Sequence, residues 1–166
     1  RYIEELEAMP SLKRTVKLCD DPLLNVILSR YIDWSQELGI TFHCDIKSSD
    51  FSFMDSTSVT ALFSNLLSNA VESAQKSAEK RIDFSVVKNF EEEYVMISLV
   101  NSCDAAPQTD IYGNFRTTKT NQRIHGYGLK SINRVIQKYN GISMPRYDSV
   151  AKMFHYIIRF PTTTAN

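Results

Sequence analysis

LFSNLLSNAVESA, residues 62–74, sets two asparagines four apart among leucines, alanines and a valine. At about 100° per residue, Phe63, Leu66, Leu67, Ala70, Val71 and Ala74 share one side of a helix. Asn65, Asn69, Glu72 and Lys76 form a narrow stripe on the opposite side. The apolar side is wide enough to lie on a sheet, so a helix predicted over about Thr57–Ala78 is the element on which the fold turns. The stripe has two readings. Glu72 and Lys76 suit a solvated face, but such a face favours lysine and glutamate throughout, and asparagine is a poor helix former. Two carboxamides one turn apart, with a carboxylate on the next turn, also suit oxygens offered to a hydrated cation and N–H groups offered to phosphate. Magnesium on a nucleotide fits that set, because it keeps several waters and takes one or two protein oxygens.

Upstream, DDPLLNVILSRYIDWSQELG (20–39) carries Asp21 at a capping position, Pro22 at the first helical position and Gly39 at a C-terminal stop, and is predicted helical. ITFHCDI (40–46) alternates as a half-buried strand does, with Ile40, Phe42, Cys44 and Ile46 on one face. Downstream, RIDFSVVKNF (81–90) and EYVMISLVN (93–101) read as a strand pair joined by an acidic turn. Ser102–His125 has no periodicity and is longer than the ~12–15 residues usual for structureless loops, as functional lids and disordered segments are. GYGLKSINRVIQKYNG (126–141) follows as a helix opening on glycines and closing at Gly141, and then two strands, SMPRYDS (143–149) and MFHYIIRF (153–160). Helices interleaved with paired strands predict an α+β class: a two-layer sandwich whose mixed, mostly antiparallel sheet is covered on one face by helices.

Composition narrows the function classes. A 166-residue chain, 43% apolar and 23% charged, is the size of one soluble globular domain. Lysine plus arginine equals aspartate plus glutamate at 19 each, which gives no field for nucleic acid, and none is expected as a partner. Cys19, Cys44 and Cys103 lack the spacing of metal or redox motifs and read as reduced thiols. The chain opens at Arg1 without a signal-like segment, and RYIEELEAM (1–9) before Pro10 reads as the tail of a preceding helix.

Gly126 and Gly128, in HGYGLKSI (125–132), remove side chains where the chain enters a helix, so backbone N–H groups can approach an anion; a loop-closing turn is the plainer alternative. In NFRTTKT (114–120), Thr117, Thr118 and Lys119 are candidate phosphate contacts and Phe115 a candidate apolar anchor. No G-x-x-x-x-G-K-[ST] is present.

NLLSNAVESA, TTKTNQRIHGYGLKSI and IQKYNG, in this order with a long lid between, resemble the GHKL, or Bergerat-fold, nucleotide-binding domain of gyrase, a class of heat-shock chaperones, sensor histidine kinases and mismatch-repair ATPases. More narrowly they resemble the Gram-positive peptide quorum-sensing kinases of the accessory gene regulator type. The resemblance covers about residues 20–161. It implies ATP and Mg2+ as ligands, Asn65 on the metal, Asn69 and the Gly126–Gly128 turn at the phosphates, and Lys119 and His125 in the lid. Asn65, Asn69 and Lys119 then form the catalytic set, with Glu72, Asn101, Phe115, Thr117, Thr118, Tyr127 and Leu129 lining the nucleotide. It also implies a connector at 1–18, a catalytic domain at 19–166 and an ATP lid at 102–126.

Two departures matter. Most sensor kinases read D-x-G-x-G after the strand that follows the asparagine helix, with its aspartate on the adenine amino group; this chain reads VNSCDA (100–105). Asn101 is one candidate adenine reader, Asp104 its rival, and a strand-end turn the remaining alternative. Hydrolytic relatives carry a glutamate one turn before the first asparagine, where this chain has Ala61. Without that carboxylate to orient water, hydrolysis is not expected. His43 and His155 lie in strand patterns and His125 beside the glycines, so none suits a phosphoacceptor. The expected partners are a dimerisation domain carrying the acceptor histidine and a downstream response regulator. The expected setting is the cytoplasmic side of an integral membrane protein, homodimeric when whole, with this portion monomeric.

Overall fold

The computed structural model describes residues 16–111 and 122–162, with side chains from 128 onward in the second segment. In chain order the described elements are α1 (Pro22–Glu37), β1 (Thr41–Ile46), α2 (Ser56–Gln75), β2 (Arg81–Asn89), β3 (Tyr94–Ser102), α3 (Gln122–Lys138), β4 (Ile142–Asp148) and β5 (Met153–Pro161). The strands form one sheet in the order β1-β2-β3-β5-β4. β1 runs parallel to β2, with Phe42 opposite Ile82, and every other pair is antiparallel. The predicted mixed, mostly antiparallel α+β sandwich is the observed one.

Alternation along the strands decides which face is covered. Ile82, Phe84 and Val86 of β2, Val95, Ile97 and Leu99 of β3, and Ile158 and Phe160 of β5 are buried together with Leu62, Phe63, Leu66, Leu67, Ala70, Val71 and Ala74 of α2. Phe63 sits edge-on to both Phe51 and Phe84, at centroid separations of 5.1 and 6.1 Å. Each such side chain contributes about 1.5–3 kcal/mol on burial, and truncating Phe63 to alanine costs about 3–5 kcal/mol once the cavity is included.

Helix ends follow local chemistry. Asp21 accepts the Leu24 N–H at 2.7 Å and Pro22 opens α1; Gly39, at φ +71, lets Gly39 and Ile40 donate back to the Gln36 and Ser35 carbonyls. α3 ends one residue differently from the glycine-stop expectation. Asn140 takes the left-handed turn (φ 54), while Gly141 is needed for space, since a Cβ there would lie 2.6 Å from Phe160 Cε1. α3 also begins earlier than predicted. It starts at Gln122, so Gly126 and Gly128 lie within its first two turns rather than at the loop junction, and the last residues of the predicted 102–126 lid are helical.

α2 and α3 run antiparallel, and their register is pinned at one end. Asp55 caps α2 through the Ser58 N–H at 2.7 Å, pairs with the Lys138 ammonium, and accepts the Tyr139 hydroxyl at 2.8 Å. The Lys138 hydrogen bond, then the capping N–H, holds the Asp55 carboxyl well below the usual carboxylate range, and the same pairing raises Lys138. Cys19, Cys44 and Cys103 are free thiols, with Cys44 pushed up to about 11 by burial. Among the described residues no helix is long and apolar enough to cross a membrane.

Candidate functional site

Ten residues along α2 from its capped end stands Asn65; ten residues back along α3 from Lys138 stands Gly128. Antiparallel packing brings the two together. A Cβ on residue 128 would lie 3.2 Å from Asn65 Oδ1 and 3.9 Å from Asn69 Oδ1. The two carboxamides therefore face α3 at Gly128, and both asparagines are half-buried rather than solvated. Asn65 donates its Nδ2 to the Ala61 carbonyl at 2.6 Å, one turn back. That bond fixes the amide and turns Oδ1 toward Gly128. A fixed acceptor oxygen with no side chain opposite it is the donor chemistry a hydrated Mg2+ on a polyphosphate takes, so the residues present fit that ion.

Glu72 continues the stripe, half-buried, with Ser68 Oγ donating to its Oε1 at 3.2 Å. Asn65, Asn69, Ser73 and Ser77 recur every four residues, so the stripe extends past the two asparagines. From Asn65 to Ser73 it advances about 12 Å at 1.5 Å per residue. At its far end Ser73 Oγ donates to the Ser102 carbonyl at 3.4 Å, and Ser77 Oγ lies 2.6 Å from Ser102 Oγ, where β3 ends. Asn101, the preceding residue, is 4% exposed and shares the inner sheet face with Leu99. Its Nδ2 donates to the Ser102 carbonyl at 3.0 Å. Asp104 is exposed and accepts the Ala78 N–H at 2.9 Å, closing the turn after α2.

Of the sequence-predicted residues, the structure brings together Asn65, Asn69 and Gly128, puts Glu72 on the same stripe, and packs Leu129 partly against the core. Phe115, Thr117, Thr118 and Lys119 lie outside the described residues, as does most of the 1–18 connector; His125, Gly126 and Tyr127 lie in α3 with their side chains outside the description. The Ser73–Ser77–Ser102 cluster escaped sequence reasoning, because lone serines at helix and strand ends carry no distinctive signal. An open groove of about 760 Å³ lies elsewhere, lined by Asp20, Lys47, Ser49, Asp50, Phe51 and neighbours, and includes none of the stripe.

A family model described as the GHKL domain matches residues 54–158. By fold the chain is similar to the catalytic domain of histidine kinase ThkA, at 20% identity and TM-score 0.64, covering 86% of this chain and 93% of that one. The Acinetobacter baumannii histidine kinase AdeS is similar over 86% of this chain and 64% of its own, at 12% identity and TM-score 0.61. Full-length ShkA, solved in complex with AMPPNP, is similar over 86% of this chain and 30% of its own, at 15% identity and TM-score 0.60. No curated protein matches the sequence.

Proposed function

Because the chain belongs to the GHKL domain family across residues 54–158, we propose that it is the ATP-binding catalytic domain of a sensor histidine kinase, transferring the γ-phosphate to a histidine on a partner dimerisation domain. The observation that carries this reading is the 3.2 Å approach of the Gly128 Cβ position to Asn65 Oδ1, which sets a fixed acceptor oxygen against bare α3 backbone. Support also comes from the AMPPNP in the ShkA complex and from the histidine kinases among the fold neighbours.

Each residue's part follows from its atoms. Asn65 offers Oδ1 while its Nδ2 is held by Ala61, so the amide cannot turn its nitrogen to a cation. Gly128 puts no side chain between Asn65 Oδ1 and the second turn of α3, a helix whose N-terminal N–H groups favour negative charge. Asn69, one turn on, faces the same glycine. Mg2+, when bound, would neutralise phosphate charge as the acceptor attacks in line. Ala61 supplies no carboxylate, so water finds no base there and the phosphoryl group is kept for the acceptor. His43 and His155 are paired in the sheet in β1 and β5, which supports an acceptor histidine on the partner domain. We assign the parent to the accessory gene regulator-like quorum-sensing kinases: membrane-anchored, homodimeric, with this domain in the cytoplasm and a response regulator downstream. That assignment rests on the sequence resemblance over residues 20–161.

The test is incubation with γ-labelled ATP and Mg2+, with and without the parent's acceptor-helix domain. The expected result is acid-labile, base-stable label on the acceptor, lost in Asn69→Ala, with no self-labelling and little phosphate release. Nucleotide binding without transfer at saturating acceptor would make this a nucleotide-dependent scaffold, for which VNSCDA in place of D-x-G-x-G is the sequence argument. Brisk phosphate release without acceptor would make it an ATPase.

A further inference from the structure

A carboxamide is an ambiguous reader of purines. It offers an oxygen acceptor beside an N–H donor, and a half-turn about its last torsion exchanges them. A 6-amino purine presents a donor beside the N1 acceptor; a 6-oxo purine presents an acceptor beside the N1 donor. A free asparagine can therefore match either base, whereas a carboxylate, acceptor-only, cannot.

Asn101 is not free. Its amide stands 3.0 Å from the Ser102 carbonyl, and only the nitrogen can occupy that place, since two acceptor oxygens would repel. The carbonyl is itself held. Ser73 Oγ donates to it at 3.4 Å from α2. The Ser102 hydroxyl, 1% exposed, accepts the Arg81 N–H at 2.9 Å and lies 2.6 Å from Ser77 Oγ, which accepts the Lys80 N–H at 3.2 Å. The two hydroxyl protons are both placed: either Ser77 donates to the Ala74 carbonyl and Ser102 to Ser77, or Ser77 donates to Ser102 and Ser102 to the Arg81 carbonyl. Both arrangements fix the end of β3 against the end of α2.

We propose that the Ser102 carbonyl, bonded by Ser73 Oγ and kept in place by the Ser102 hydroxyl's contacts with Ser77 and the Arg81 backbone, locks the Asn101 amide in the one orientation that accepts a 6-amino purine and rejects a 6-oxo purine. Ser102 is thus a positioning residue for base selectivity, acting through Asn101. The inference rests on the nucleotide-binding reading above. With one N–H committed to Ser102, Oδ1 and the second N–H remain as a bidentate edge matched to the adenine amino group and N1. Turning the edge over for hypoxanthine breaks the 3.0 Å bond and opposes two oxygens in a buried position, a penalty of tenfold or more, roughly, in affinity.

ATP and inosine triphosphate differ at the purine 6-position and N1 proton alone, so their affinity ratio reads the lock directly. Titration of the wild-type domain should give ATP binding roughly tenfold or more tighter than inosine triphosphate. Asn101→Ala should bring the ratio near one. Ser102→Ala keeps the carbonyl but removes the hydroxyl that anchors it to Ser77 and the Arg81 backbone, so it should lower the ratio by gaining affinity for inosine triphosphate, and Ser102→Thr, which keeps the hydroxyl, should retain it. Equal binding of both nucleotides by the wild type would overturn the lock and leave nucleotide binding standing, whether or not the variants fold. A wild-type ratio unchanged in Asn101→Ala would remove Asn101 as the reader, and one unchanged in Ser102→Ala would show that the Ser102 hydroxyl does not anchor the lock and would remove Ser102 as a positioning residue. Failure of both nucleotides to bind would overturn the nucleotide reading and this inference with it.

Discussion

Gly128 and Asn65 face each other across the α2–α3 interface so closely that the smallest side chain on residue 128 would stand 3.2 Å from Asn65 Oδ1. The glycine is not required by its backbone, which lies within a helix. It is required by its neighbour. Gly128→Ala is therefore expected to separate two properties that usually move together. Alanine raises helix propensity by about 0.5–1 kcal/mol, so the melting midpoint should hold or rise. The methyl group displaces the Asn65 oxygen by a few tenths of an ångström or more, and Mg-ATP affinity should fall. Differential scanning calorimetry with nucleotide titration checks both signs, and an alanine variant binding Mg-ATP like wild type would take the Gly128–Asn65 contact out of the site.

Asn65→Ala should act on the metal rather than on the nucleotide as a whole. Removing Oδ1 takes away one of the few direct oxygens that magnesium accepts from protein, a loss of about tenfold or more in the Mg-dependent part of ATP affinity. Titrations with Mg2+ and with a chelator should give two different constants for the wild type and nearly equal ones for the variant. A variant with intact metal dependence would take Asn65 out of the site.

The sheet and the asparagine helix were legible because they rest on periodicity: the alternation read in β1 is the observed one, with Phe42, Cys44 and Ile46 half-buried between exposed neighbours, and the apolar side of α2 is buried throughout. What was not legible depends on contacts between distant segments. Nothing local to 136–141 reveals that Gly141 is needed because of Phe160, which belongs to another strand. The start of α3 at Gln122 was hidden by the glycines, whose low helix propensity suggested a junction at 126 where the chain is already helical. Of the site, Asn65, Asn69 and Gly128 were readable from the resemblance, whereas the serines behind Asn101 become visible only when the α2 and β3 ends meet.

Ser35 offers a test of the core. It is fully buried in α1 and its hydroxyl has no hydrogen-bond partner among the described residues. A buried hydroxyl of this kind loses its hydration without recompense. Ser35→Ala should stabilise the domain by about 1 kcal/mol, with a further small gain from helix propensity. Urea denaturation should show a higher midpoint at unchanged slope; a lower midpoint would mean the hydroxyl is satisfied in solution.

Asp55 ties stability to pH in a window that can be stated in advance. Its folded carboxyl is held below its unfolded value of about 3.9, first by Lys138, then by the Ser58 N–H and the Tyr139 hydroxyl. A depressed carboxylate contributes stability that is fully present above the unfolded pKa and is lost as pH falls through the folded one. The wild type should therefore exceed Asp55→Asn in unfolding free energy by a constant amount between pH 6 and 7, and that difference should shrink only below about pH 4. Asp50, lowered to about 2 by Ser52 and Lys88, loses its own contribution over the same fall in both proteins and cancels in the comparison. Salt distinguishes the two parts of the Asp55 role. The Lys138 pair is about half exposed and is screened, whereas the hydrogen bond to the Ser58 N–H is not. Asparagine keeps an acceptor for that cap, so at 1 M salt the gap between wild type and variant should narrow without closing fully. Paired urea titrations from pH 7 to pH 2.5 at low and high salt measure all of this. A gap that stayed constant down to pH 2.5, or widened as pH fell, would mean that the carboxylate is not what joins α2 to α3.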